Sequence, residues 1–297
     1  MAHRDASEKN IDTAYILVVN FDHASISSIR YKRLPSVPHS FAHAAFGNFR
    51  GRMLLMGGHD SKGHCFEFDQ EEFQGYSKKG IPSLNINRWG AASTFIHDKV
   101  MITGGYSESR LNFIGGFSNG RLDSIEILDW DDYTQGSQWI LSESKLPIKV
   151  CSHTLIPFEH KLYLIGGNTL TNFDTIWEGL FNSKTSTVNW VEKYRLQRKR
   201  QRHFSFVILN QLIIFGGYNV EDDVVEIIEG NELKQGPKVP FKLDTDDAQA
   251  VLDRQNRVII TSKYYGLIIY DHRAGSFQNF PSFRLREERD YYAAILQ

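Results

Sequence analysis

The sequence has few of the residues that build disulfide-stapled, linker-like or membrane-spanning proteins. Its 297 residues include two cysteines, Cys65 and Cys151, which are too few for a disulfide framework or a zinc site. The N-terminal segment MAHRDASEKNIDT is polar and lacks the apolar region of a secretory signal. No stretch reaches the roughly 18 apolar residues of a membrane helix. We therefore expect a cytoplasmic protein that does not contact a membrane.

An excess of charge of one sign is also missing. The chain has 34 Lys and Arg against 35 Asp and Glu, a formal net charge of -1. Nucleic-acid-binding domains usually show a strongly basic face, so we expect no nucleic-acid partner. The one dense basic segment, KYRLQRKRQR at residues 193–202, is typical of a solvated loop or rim, or of a docking surface for an acidic partner.

Motifs that carry metal or phosphate chemistry are scarce. There is no phosphate-binding P-loop and no H-E-x-x-H pair. The acidic clusters at 129–132 and 244–247 lack the spaced oxygens of a calcium site and indicate solvated turns. Six of the 11 histidines crowd the first repeat or recur at similar repeat positions, which favours structural hydrogen bonding: His39, His43, His59, His64, His153 and His203. We predict no catalytic residue, no metal and no cofactor.

What the sequence does contain is an internal repeat. An apolar run followed by two glycines occurs four times, as LLMGG, MITGG, LYLIGG and LIIFGG. The first glycines are Gly57, Gly104, Gly166 and Gly216, so their separations are 47, 62 and 50 residues. A repeat of about 50 residues indicates a propeller blade.

Each repeat has the same internal order of short predicted strands. The second has RWGAASTF at 88–95, a turn at 97–99, the strand ending in the diglycine, the alternating strand DSIEILD at 123–129, and a segment with Trp139. Such strands form an antiparallel sheet, which must stack on neighbouring sheets to bury both faces. A glycine pair at a strand end indicates positive φ or a close neighbouring backbone.

This pattern resembles the kelch repeat. The second unit fits the family best, because Arg88 lies 16 residues before Gly104 and is followed in order by Glu126, Asp129 and Trp139. The resemblance covers nearly the whole chain. It implies an all-β fold, a single six-bladed kelch-type β-propeller.

Some units depart from the family pattern. The fourth keeps Arg200 at the arginine position, but the third has Val150 there. The fifth has Ser262 and Lys263 where the glycines are expected. Its strands are nevertheless predicted at the spacing of the other units, at 247–253, 257–262 and 266–271.

The resemblance implies one domain over residues 11–297, with a disordered N-terminus at 1–10. The predicted units are 39–86, 87–148, 149–198, 199–245 and 246–285, with a closing blade formed by 286–297 together with 11–35. In that blade the strand at 289–297 pairs with N-terminal strands at 14–22 and 29–35, because a closed ring removes exposed sheet edges.

The second unit carries an insertion at residues 107–121. This loop is unusually rich in large apolar residues, which are Leu111, Phe113, Ile114 and Phe117. The loop either packs back over the propeller or contacts a partner, since long loops on rigid scaffolds often carry function.

In related propellers, partners bind the face built from the loops after the diglycine strand and before the innermost strand. The first kind of loop contributes His59, Tyr106, Asn168, Tyr218 and Tyr264. The second contributes Trp89, Gln201, Arg202, Asp247, Asp290 and Tyr291. Such aromatic and arginine side chains are enriched at binding hot spots, although several could instead cover the ends of the core. Among them, Trp89, Tyr106, Arg202 and Tyr218 are the predicted contacts.

The resemblance implies a non-enzymatic protein-binding module or scaffold that holds a protein or peptide, such as a ligase substrate. No segment resembles the BTB or F-box regions that recruit a ligase in many relatives. Two alternatives stay open. One is a metal-dependent kelch-type enzyme with copper or iron on the same face, and the other is an actin-binding cytoskeletal protein.

Overall fold

The computed structural model contains β-strands and no helix in the residues that it describes. These residues are 15–22, 25–33, 43–49, 52–59, 61–68, 76–77, 81–107, 120–130, 137–170, 173–218, 220–246 and 248–281. Within them, two short antiparallel ribbons accompany five four-stranded antiparallel sheets. The five sheets form a β-propeller, each sheet being one blade.

The strands of each blade follow one another along the chain. Blade one contains β3 (Ala45–Phe49), β4 (Arg52–Met56), β5 (Cys65–Phe68) and β6 (Tyr76–Ser77). Blade two contains β7 (Ala92–Ile96), β8 (Lys99–Thr103), β11 (Ser124–Asp129) and β12 (Ile140–Lys145). Blade three contains β13 (Thr154–Phe158), β14 (Lys161–Ile165), β15 (Phe173–Asn182) and β16 (Thr187–Arg200).

The last two blades have the same order. Blade four contains β17 (Phe204–Ile208), β18 (Gln211–Phe215), β19 (Val224–Glu229) and β20 (Glu232–Lys238). Blade five contains β21 (Ala248–Leu252), β22 (Arg257–Ser262), β23 (Gly266–Asp271) and β24 (Ser276–Phe280). The two ribbons pair β1 (Tyr15–Asp22) with β2 (Ser25–Arg33), and β9 (Tyr106–Ser107) with β10 (Gly120–Arg121).

The core lies between the blades. In β8 of blade two, Val100 and Ile102 pack towards blade one, whereas Met101 between them packs towards blade three. All three side chains are fully buried. Because successive strand residues point to opposite faces, each blade needs a neighbour on both sides.

The diglycines join each blade to the next. The N–H of Gly105 donates to the carbonyl of Val150 in blade three at 2.9 Å. A Cβ on Gly104 would lie 2.5 Å from the same carbonyl oxygen, and the φ of Gly104 is 58°. The diglycines at 57–58, 166–167 and 216–217 make the same contact with the carbonyls of Arg88, Arg200 and Leu243. Glycine is therefore required both by backbone conformation and by the neighbouring blade.

The all-β propeller predicted from the sequence is confirmed, with five blades among the described residues. The fifth blade forms its second and third strands at 257–262 and 266–271, as predicted, although its diglycine is missing. The N-terminal strands also form, and they pair with each other as β1 and β2. The predicted strand at 289–297 lies outside the described residues.

The structure agrees with a solvated rim for the basic segment and excludes a loop for most of it. Residues 193–200 are part of β16, the outermost strand of blade three. Leu196 and Arg200 in this strand are buried, while Arg198 and Lys199 are exposed. Charged side chains on an edge strand discourage pairing with another chain, which accounts for the basic composition.

Candidate functional site

One end of the propeller is built from pairs of residues at equivalent places in the repeat. Trp89, just before the innermost strand of blade two, exchanges two backbone hydrogen bonds with Tyr106, just after the diglycine, at 3.0 and 2.8 Å. Cys151 and Asn168 form the same exchange in blade three at 3.1 and 2.8 Å. In blade four, the N–H of Tyr218 donates to the carbonyl of Gln201. The repeat therefore places both predicted kinds of loop at one end of blades two, three and four.

A chain of backbone hydrogen bonds then links these ends from blade to blade. Gly90 donates to the carbonyl of His43, Ser152 to that of Gly90, Arg202 to that of Ser152, and Thr245 to that of Arg202, at 2.7 to 2.9 Å. Four of these linked residues, His43, Gly90, Ser152 and Arg202, have φ between 56° and 61°. This shared left-handed conformation turns the chain into each innermost strand and fixes neighbouring loops against one another.

An aromatic cluster lies where blades one and two meet. The ring of Trp89 is 4.9 Å from that of Tyr106, 5.8 Å from that of His43 and 5.9 Å from that of His59. All four side chains are half-buried. The indole Nε1 of Trp89 is buried and has no hydrogen-bond partner. The cluster therefore combines apolar area with an unused donor.

A polar cluster follows across blades two, three and four. The Asn168 Nδ2 donates to Gln201 Oε1 at 2.8 Å, and Asn168 Oδ1 accepts a hydrogen bond from Arg121. The Arg121 guanidinium also lies beside the Cys151 thiol. Burial raises the pKa of that thiol, and the charges of Arg121 and Arg202 offset only part of the rise. Cys151 is therefore a neutral thiol rather than a reactive thiolate.

A third group of side chains connects blade four with blades five and one. Arg202 forms an ion pair with Asp246, and its guanidinium lies 5.5 Å from the centre of the Tyr218 ring. The other Asp246 oxygen lies 3.8 Å from Nδ1 of His43. Tyr218 remains 42% exposed, so its ring is available to a ligand.

We call these three groups together the axial surface. It consists of His43, His59, Trp89, Tyr106, Arg121, Cys151, Asn168, Gln201, Arg202, Tyr218 and Asp246. Seven of the predicted site residues belong to it: His59, Trp89, Tyr106, Asn168, Gln201, Arg202 and Tyr218. Predicted Tyr264 lies in the turn after β22, 58% exposed, with Lys263 as its ring contact. Predicted Asp247, Asp290 and Tyr291 lie outside the described residues.

Sequence reasoning missed four members of the axial surface. Cys151 could have been found, because it follows Val150 as Trp89 follows Arg88. His43 and Asp246 join the surface through contacts between distant blades, which no local pattern reveals. Arg121 enters through the pairing of β10 with β9 after the insertion. The position of Arg121 therefore depends on how the chain re-enters the blade after the insertion.

Two recurring histidines are structural, as the sequence predicted. His153 Nε2 lies 2.9 Å from Oγ1 of Thr103, and His203 Nε2 lies 2.9 Å from Oγ1 of Thr154. Each bond joins one blade to the next. Among the described residues, no group of three His, Cys, Asp or Glu side chains is arranged to hold a metal ion.

The insertion contains a pattern that the predicted site did not include. Residues 116–120, GFSNG, have the spacing G-x-S-x-G of a serine nucleophile motif. That motif requires a sharp strand-to-helix turn, and the described part of the chain contains no helix. Only Gly120 of this pattern lies within the described residues, where it belongs to β10.

Comparison with known proteins does not assign this chain to a family. No protein-family model matches this chain, and no curated protein is significantly similar to it. Within the residues that the structure describes, no helix has the length and apolarity needed to cross a bilayer.

Proposed function

We propose that this protein is a non-enzymatic binding module of the kelch type, which holds a protein or peptide on the axial surface. One observation carries the proposal: backbone hydrogen bonds fix aromatic and arginine side chains from successive blades into one continuous surface. Trp, Tyr and Arg dominate binding hot spots, because they bury a large area and keep a polar group. A rigid scaffold also lowers the entropy lost on binding.

The proposal includes a six-bladed ring, with the closing blade formed by 286–297 and 11–35. In β22, Val258 and Ile260 pack towards blade four. Ile259 lies between them, and it pairs with Ile269 on the opposite face of the blade. These two side chains are only 1% and 5% exposed. A buried second face on blade five supports a further blade beside it.

The binding proposal is tested by purifying the protein with its partners from native cells. Wild type, W89A, Y106A, R202A and Y218A are compared by quantitative mass spectrometry, with E232A on the exposed outer strand of blade four as the control. Hot-spot truncations cost at least about 2 kcal/mol, so we expect a partner whose recovery falls about tenfold or more in the site variants. The same partner should be retained by E232A.

Retention of every partner by all four site variants would overturn the proposal. The alternatives give different results. Stoichiometric copper or iron in the purified protein would favour a metal-dependent enzyme, and co-sedimentation with filaments would identify actin as the partner.

A further inference from the structure

Arg121 differs from the other buried and half-buried arginines in the described part of the five blades. Six arginines in the described part of these blades are buried or half-buried: Arg52, Arg88, Arg121, Arg200, Arg202 and Arg257. Five of them form an ion pair with an aspartate or glutamate. Arg121 has instead the amide oxygen of Asn168 and the neutral thiol of Cys151. Arg121 is half-buried, and a charge partly removed from water without a counter-ion is costly, so its retention here needs a reason.

Two residues of the axial surface that both neighbour Tyr106 carry an unused donor. The Nε of Arg121 is buried without a hydrogen-bond partner, as is the indole Nε1 of Trp89. Tyr106 lies between the two residues. It is directly opposite Arg121 in the β9–β10 ribbon, and its ring is 4.9 Å from that of Trp89. Opposed residues in an antiparallel pair share a face, so Arg121 and Trp89 are both neighbours of Tyr106 on this surface.

We propose that Arg121 binds a carboxylate of the peptide held on the axial surface, with the Trp89 indole as a second donor. This inference rests on the proposed function and specifies its ligand. A ligand rich in acceptors would satisfy these two donors, and a guanidinium matches the two oxygens of a carboxylate. The amide pair Asn168 and Gln201 holds Arg121 in place. Arg202 is not equivalent, because Asp246 already neutralises it.

The carboxylate could belong to an Asp or Glu side chain or to a chain terminus, and the probe separates these sources. The probe is an array of random 12-residue peptides with both ends capped. Each peptide has a matched version with Asn and Gln in place of Asp and Glu, and another with a free C-terminal carboxylate. We expect binding to the wild-type protein to require one of the two carboxylates. Loss of a charged hydrogen-bonding partner should weaken it by at least about tenfold.

Variants locate the contact. R121Q should lose the selected peptides by at least about tenfold, whereas R254Q, in the exposed turn between β21 and β22, should bind them as wild type does. R121Q should also melt no lower than wild type, because it removes an uncompensated charge. With ¹⁵N-labelled protein, the Trp89 indole N–H resonance should shift on adding a selected peptide and stay in place with its amide version.

Equal binding by R121Q, or equal binding of the amide peptides, overturns the carboxylate site and leaves the binding module intact. A wild-type protein that binds no peptide of the array also overturns it. If, in addition, no native partner depends on Trp89, Tyr106, Arg202 or Tyr218, the proposed function fails as well. An indole resonance that shifts with both peptide versions indicates a contact that needs no carboxylate.

Discussion

At the scale of single residues, the arginine before the innermost strand is a buried charge in two blades. The guanidinium of Arg88 lies 2.5 Å from Glu126 in blade two, and that of Arg200 lies 2.7 Å from Glu226 in blade four. All four side chains are fully buried. Removing one member of such a pair leaves an uncompensated charge and costs about 3 to 5 kcal/mol. Each arginine therefore requires its glutamate.

The blades without the arginine also lack the glutamate. Val150 takes the arginine position in blade three, and Trp177 lies where the strand register of the other blades places a glutamate. In blade five the corresponding residues are Leu243 and Ile268. The pair has been replaced as a unit, because an apolar pair of suitable volume can fill the site of a buried ion pair at little cost.

Buried histidines make the stability of this protein sensitive to acid. Burial, reinforced by the charges of Arg88 and Arg200, lowers the pKa of His153 and of His203 from 6.5 to about 3. The unfolded chain therefore binds more protons than the folded chain between these two pH values. The stabilisation is complete above pH 6.5 and is lost as the pH falls towards 3.

We therefore predict that the free energy of unfolding falls by about 1 kcal/mol per pH unit for each of these histidines below pH 6. Urea denaturation at several pH values measures this slope. H203Q keeps a donor near Thr154 and should have a shallower slope than wild type. H160N alters an exposed histidine in the turn between β13 and β14 and should leave the slope unchanged. An equally steep slope in H203Q would contradict the assignment.

At the scale of the element, the diglycine is the joint between blades. The first glycine of each pair lies against a carbonyl of the next blade, and the second donates a hydrogen bond to that carbonyl. The sequence pattern predicted that each apolar strand ends at its glycine pair. The structure shows that the neighbouring blade, in addition to the positive φ, excludes a side chain at the first glycine of each pair.

Gly104 and Gly230 allow the two effects of glycine to be separated. Their φ values are 58° and 57°, but a Cβ on Gly104 would lie 2.5 Å from the Val150 carbonyl and one on Gly230 would meet nothing within 4 Å. We predict that Gly230→Ala costs about 1 kcal/mol for the conformation alone. Gly104→Ala should cost about 2 kcal/mol more, because the blades must separate. Equal losses in urea denaturation would show that the joint tolerates a methyl group.

At the scale of the whole molecule, the proposed closure of the ring makes a prediction about stability. Each blade shields its neighbours, and the second face of blade five is buried at Ile259 and Ile269. We predict that deleting residues 289–297 unfolds the entire protein cooperatively, because the proposed closing blade would lose a strand and the sheets beside it would be exposed. Thermal unfolding followed by circular dichroism measures the change.

Deletion of residues 1–10, the predicted disordered segment, is the matched control and should leave Tm unchanged. An unchanged Tm after deletion of 289–297 would refute the closure proposal. Loss of only part of the signal in that variant would show that the blades unfold independently.

The sequence by itself determined the fold class and the positions of most strands in the five blades, whereas the end of the blades where partners are expected came from the kelch resemblance. It could do so because alternation, turns and diglycines are local and repeat along the chain. The tertiary structure alone decided which side chains meet on the axial surface. Arg121, His43 and Asp246 come from different blades, and their contacts follow from closing distant segments around an axis, which leaves no periodic trace in the sequence.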